Sequence, residues 1–129
     1  MTGVNLVVVR GECAQQPEVR MLSSGRRLAS LALRVRAEGS ATLWVPVTVW
    51  EPAAWVEDLG EGDDVVVVGR VRRRFFALAS GERANRVDVE ATFVGRGRQR
   101  RPLAGALRRA EAALAALTEE EPARSPTRA

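Results

Sequence analysis

Two stretches place valines at every second position and so leave little choice of structure. Residues 43–50 read Leu-Trp-Val-Pro-Val-Thr-Val-Trp, and residues 65–76 read Val-Val-Val-Val-Gly-Arg-Val-Arg-Arg-Arg-Phe-Phe. A period of two is the period of a β-strand, in which successive side chains point to opposite faces of a sheet. In the first stretch Leu43, Val45, Val47 and Val49 share one face, and Trp44, Pro46, Thr48 and Trp50 the other. In the second, Val65, Val67, Gly69 and Val71 lie inward, with Val66, Val68, Arg70, Arg72, Arg74 and Phe76 outward. Gly69 in mid-strand predicts a bend or a close backbone approach. Pro46 has no N–H, so the ladder is open or bulged beside it.

Three weaker stretches follow the same rule. Residues 4–13 place Val7 and Val9 inward and Arg10 outward, and residues 27–36 place Leu31, Leu33 and Val35 inward with Arg34 and Arg36 outward. Residues 86–94 close the set with Val87, Val89, Ala91 and Phe93 inward. Pro17 interrupts the pattern, Ser23-Ser24-Gly25, Glu38-Gly39-Ser40 and Ser80-Gly81 mark turns, and Pro52 starts a short helix over 52–59. The expected fold class is all-β. It is a five-stranded OB-type barrel with a short helix between strands 3 and 4, the helix weighing against a small antiparallel sandwich. Trp55 in that helix and Phe75, of inward parity, read as packing residues.

The chain divides near residue 95. Residues 1–95 form the predicted domain, and 96–129 a basic linker, an amphipathic helix over 103–118 and a disordered tail. The helix carries Leu103, Leu107, Ala110, Leu114 and Leu117 at alternating four- and three-residue steps. That is a narrow seam, suited to docking on the domain or on a sister chain.

Inventory removes several functions. With one cysteine, Cys13, and no histidine, neither a Cys/His metal site nor a Ser/His or Cys/His catalytic pair can be built. No enzyme, metal or cofactor is therefore expected. No run approaches the roughly 20 apolar residues that cross a bilayer, and the N-terminus lacks a secretion signal. A cytoplasmic, nucleoid-associated protein is expected.

All 20 basic residues are arginine, which pairs with phosphate through a planar fork and stacks on bases. Residues 1–95 hold 12 arginines and 12 carboxylates, so net charge does not make the domain a polyanion binder. Sorting between faces does. Parity sends Arg10, Arg34, Arg36, Arg70, Arg72 and Arg74 outward together with Trp44, Trp50 and Phe76. A cationic track with aromatic platforms is what unstacked, single-stranded nucleic acid requires. The acidic cluster Glu57, Asp58, Glu61, Asp63 and Asp64 reads as a solvated turn pointing away from it.

In their order along the chain, several segments resemble one family. They are Asn5-x-Val7-x-Val9-x-Gly11, Pro17-Glu18-Val19-Arg20, Ser24-Gly25, Leu28-Ala29-x-Leu31-x-Leu33 and Trp44-Val45-Pro46-Val47-x-Val49-Trp50. Gly62-x-x-Val65-x-Val67-x-Gly69-Arg70, Ser80-Gly81-Glu82 and Val87-x-Val89-x-Ala91 complete the set. This set resembles the bacterial single-stranded DNA-binding proteins over about residues 1–95. The resemblance implies an OB-fold, a homotetramer that wraps single-stranded DNA in replication, recombination and repair, and base stacking at Trp44, Trp50 and Phe76.

The chain departs from the family at three places. The loop Ala37–Thr42 carries no aromatic, Cys13 replaces a usual core leucine, and the chain ends Arg124-Ser125-Pro126-Thr127-Arg128-Ala129 where relatives carry an acidic Pro-Phe tip. Recruitment of repair enzymes through such a tip is not expected, and the chain reads as a secondary paralogue. Two other functions fit the residues. One is an interaction subunit of a replication-restart or recombination complex, binding DNA weakly and associating through residues 96–118. The other is RNA binding.

Overall fold

In the computed structural model, which describes residues 3–120 and side chains as far as 117, the alternating stretches become six strands. They are β1 (Val7–Cys13), β2 (Glu18–Met21), β3 (Arg27–Val35), β4 (Leu43–Trp50), β5 (Asp64–Ala77) and β6 (Arg83–Arg96). Two helices accompany them, α1 (Ala54–Glu57) between β4 and β5 and α2 (Arg100–Glu120) after β6. The sheet order is β1-β5-β6-β4-β3-β2, and an added pairing of β1 with β3 closes it into a ring. Only β4 and β6 run parallel, meeting at Val47/Val89 and Thr48/Glu90.

The mostly β ring with its helix between β4 and β5 agrees with the expected OB-type barrel. It contains one strand more than the alternation alone predicted. β2 pairs with β3 from Glu18/Ser30 to Met21/Arg27, while β1 takes the same edge of β3 at Leu33 and Arg34. Pro17 thus separates two segments that share one edge, and four residues are too few to show a period. β1 crosses from β5 to β3 close to Gly11, where a Cβ would lie 2.5 Å from the Arg34 carbonyl oxygen. Only glycine permits that approach. Before β1, the Asn5 side chain donates to the Val71 carbonyl at 2.9 Å and accepts from the Val71 N–H at 2.8 Å, extending the ladder by one rung.

The inward valines and leucines form the core. Ala29, Leu31, Leu33, Val47, Val49, Val65, Val67 and Val89 pack with Cys13, and Val56 and Leu59, from α1 and the loop after it, complete the cluster. Each fully buried valine or leucine contributes about 1.5–3 kcal/mol on burial. Trp55 packs against the core edge under Arg96, whose guanidinium lies 5.1 Å from its ring centroid.

Four inward assignments are corrected. β5 and β6 slip register between Val68/Phe93 and Gly69/Ala91, leaving Thr92 as an extra residue. A bulge of one residue exchanges the faces beyond it, so Val94 packs on the core and Phe93 turns outward over Gly95. Gly69 sits at that point because a Cβ there would lie 2.2 Å from the Glu90 carbonyl oxygen. Beyond Gly69 the two strands leave the ring as a ribbon. Inward parity has no core beneath it there, and Val71, Phe75 and Val87 are 44, 60 and 48% exposed. Phe75 is not a packing residue; Arg83 stands over its ring at 5.6 Å.

α2 starts three residues earlier than the seam predicted and runs through Glu120; the disordered tail expected over 119–129 otherwise lies outside the described residues. Pro102 falls in its first turn, where a missing N–H is tolerated. Ala106 is its buried residue, set beside Val68 and Phe93, while Leu107 is exposed. Ala106, Ala110 and Ala113 line the groove between α2 and the sheet; of the predicted seam Ala110 is among them, while Leu107 and Leu114 are exposed. Among the described residues no helix is long and apolar enough to cross a membrane.

Candidate nucleic-acid interface

Register carries the outward residues of four strands onto one surface. β3 and β4 bring together Arg34/Trp44, Ala32/Pro46, Ser30/Thr48 and Leu28/Trp50. The parallel junction adds Glu90 beside Thr48, and β5 continues the surface through Arg70/Glu90, Arg72/Asp88, Arg74/Arg86 and Phe76/Ala84. Trp44 and Trp50, Arg34, and the row Arg70, Arg72, Arg74 and Phe76 therefore belong to one face, with Phe76 out on the ribbon.

The aromatics differ in availability. Trp44 is 61% exposed, with the Arg34 guanidinium 6.0 Å from its centroid. Phe76 is 46% exposed. Trp50 is held on two sides. Its indole N–H donates to Glu90 Oε2 at 3.1 Å, and the Arg26 guanidinium covers the ring at 4.3 Å. A base stacking on that side must displace Arg26.

Five of the six predicted arginines already meet a carboxylate. Arg70 and Arg72 both donate to Glu90, at 2.7 Å for Arg70. Arg74 lies 3.6 Å from Asp88, and Arg34 3.8 Å from Glu61. Arg10 stands apart. Its β5 neighbour is Val66, and Asp64 clamps its guanidinium at 2.6 Å. That hydrogen bond raises the Arg10 pKa and holds Asp64 below the usual carboxylate range. Arg36 is exposed just past the end of β3. The acidic turn does not wholly face away, since Glu61 reaches Arg34; Glu57 binds Arg27, and Asp63 accepts from the Gly60 N–H at 2.9 Å.

Glu90 is the hub of this surface. Its carboxylate accepts from Arg70, Arg72 and Trp50, and these bonds, Arg70's foremost, lower its pKa against the opposing effect of burial. Asp88, two residues earlier, is 2% exposed and accepts from the Thr48 hydroxyl at 2.7 Å through Oδ2.

The single-strand binding protein family model matches residues 4–96. The chain belongs to this family. Named relatives are single-stranded DNA-binding proteins. That of Thermus thermophilus is 34% identical over 93 residues, covering 68% of this chain and 35% of its own length. Those of Corynebacterium glutamicum and Mycolicibacterium smegmatis are 33 and 29% identical, covering 70 and 74% of this chain and 45 and 65% of theirs. A crystal structure of a deletion mutant of the single-stranded DNA binding protein from Thermus aquaticus superposes with a TM-score of 0.60 at 26% identity. It covers 72% of this chain and 40% of that one. The chain thus spans about a third of the length of the Thermus thermophilus relative, and the family match ends before α2.

Within the single-strand binding family fold, sequence reasoning missed the carboxylates on the face. The signal was present, because placing Val87 and Val89 inward sends Asp88 and Glu90 outward. Arg26 had no such signal, since it precedes β3 and reaches Trp50 only through the β3–β4 pairing.

Proposed function

We propose that this chain binds single-stranded DNA without catalysis and largely without regard to sequence, in replication, recombination and repair. The observation that carries the reading is the single face on which Trp44, Trp50 and Phe76 share register with Arg34, Arg70, Arg72 and Arg74. Family membership and the names of the relatives support it. Bases stack on the aromatics, and the arginines exchange carboxylate for phosphate as DNA arrives. Arg36 lies near enough along the chain to extend the phosphate track, and Arg10 would join it only on release from Asp64.

The protein acts as a homo-oligomer, a tetramer by resemblance. The exposed Val71, Phe75 and Val87 of the ribbon support association between copies. A monomer mass by light scattering at micromolar concentration would refute it.

The test of binding is tryptophan fluorescence titrated with poly-dT, poly-rU and duplex DNA at two salt concentrations. Quenching by poly-dT that weakens with salt is expected, and no response to either single strand would sink the reading. Trp44→Ala should weaken oligo-dT binding by ~1–3 kcal/mol while leaving the melting curve in place. The second reading, a protein-interaction subunit, is favoured by α2, which lies beyond the family match and leaves Leu107 exposed. Poor DNA affinity alongside stable association through residues 96–118 would mark it.

A further inference from the structure

A groove of about 420 Å³ lies where the outer faces of β3 and β4 meet the root of the ribbon, lined among others by Ser30, Pro46, Thr48, Arg74, Arg86 and Asp88. At its base is the one carboxylate that the binding face buries. Oδ2 of Asp88 receives the Thr48 hydroxyl at 2.7 Å and lies 3.6 Å from Arg74 Nε. Oδ1 is sealed from solvent and has no hydrogen-bond partner. A buried acceptor left unmade is costly and calls for an explanation.

The occupant that would satisfy it can be argued from charge. On a face that receives a polyanion, a buried carboxylate repels phosphate, so the group that meets it must be a hydrogen-bond donor. A single strand presents such donors on its base edges. Cytosine, adenine and guanine each carry an exocyclic amine there. Thymine has only a ring N–H between two carbonyl oxygens, both of which a carboxylate repels. The groove also has residues on which a flat base can rest, with Pro46, Arg74 and Arg86 in its lining. Arg74 sits at ion-pair distance from Asp88 Oδ2 with no hydrogen bond between them, and so is free to swing to a phosphate and leave the carboxylate to a base.

We propose that Asp88 forms a base-reading subsite, accepting an exocyclic amine and disfavouring thymine at one position of an otherwise unselective strand. The proposal rests on the single-stranded DNA reading above.

The test compares equal-length oligo-dC and oligo-dT by competition anisotropy at fixed salt, for the natural chain and for Asp88→Asn. The amide removes the charge and offers thymine a donor. The dC-to-dT affinity ratio should fall roughly three- to tenfold in the variant, about one hydrogen bond's worth. An oligo-dC methylated twice on the exocyclic nitrogen needs no variant. It should lose the same factor against the natural chain, so the proposal stays testable even if Asp88→Asn fails to fold. An unchanged ratio in a folded Asp88→Asn, or undiminished binding of the methylated strand, overturns the subsite alone. If neither unmodified oligonucleotide binds, the single-strand reading fails and the subsite falls with it.

Discussion

At the scale of single residues, Glu90 governs how much positive charge the face can offer. It neutralises Arg70 and Arg72 and fixes the Trp50 ring by its N–H. Glu90→Gln keeps a hydrogen-bond acceptor for Trp50 but releases both arginines. Tighter oligo-dT binding at low salt is expected, with the slope of log K against log salt unchanged, because both arginines reach phosphate in either chain. A slope steeper by about 1.4 would mean that both pairs with Glu90 persist in the natural complex, since two further phosphate contacts each add ~0.7. The same variant reports on acid stability. In the folded chain Glu90 titrates below its ordinary 4.5, chiefly because Arg70 hydrogen-bonds the charged form. Its stabilisation is therefore present above pH ~4.5 and lost as pH falls through the lower folded value. Melting temperatures between pH 3 and 6 should decline less for Glu90→Gln than for the natural chain.

At the scale of elements, the β5–β6 pair does two jobs. Its first half walls the barrel, and its second half projects as a ribbon bearing Arg72, Arg74 and Phe76. The bulge at Thr92 joins the two halves, and Gly69 is what lets β6 pass there. Gly69→Ala sets a Cβ against backbone that cannot move without breaking the ladder. A loss of ~1–3 kcal/mol or more in denaturant unfolding is expected, and a change within error would show that the ladder yields. The bulge also shows what remains illegible in a strand read alone. Nothing in Arg-Val-Asp-Val-Glu-Ala-Thr-Phe-Val says that Thr92 is skipped, because a bulge is a mismatch of length between two strands. Alternation therefore puts Phe93 on the wrong face, whereas Val89, before the bulge, stays on the core. β2 is illegible for a related reason, since its four residues become a strand only by pairing with β3.

At the scale of the whole molecule, closure of the ring seals the one thiol. Cys13 lies where β1 reaches β3, fully buried in the core, and burial with nearby Asp63 pushes its pKa to about 11. The neutral thiol is the form that folding favours. Stability tied to Cys13 is thus whole below pH ~9 and declines as pH rises toward 11. A thiol reagent at pH 8 should label the folded chain only as fast as the barrel opens, and at full speed in denaturant. Rapid labelling of the native protein would mean that the β1–β3 junction opens locally.

The same division separates what sequence by itself determined from what tertiary structure decided. Alternation is local, because the pleat sends neighbouring side chains to opposite sides whatever they pair with. The valine core, the outward Trp44, Trp50, Arg70, Arg72, Arg74 and Phe76, and the barrel of strands with a helix between β4 and β5 all followed from it. Pairing is not local. Glu90 meets residues 18 to 40 positions away, and Arg10 meets Asp64 54 positions on. Which arginines are already neutralised, which tryptophan is covered, where Phe75 lies open and where Asp88 Oδ1 goes unpaired depend on distances that exist only once the ring has closed.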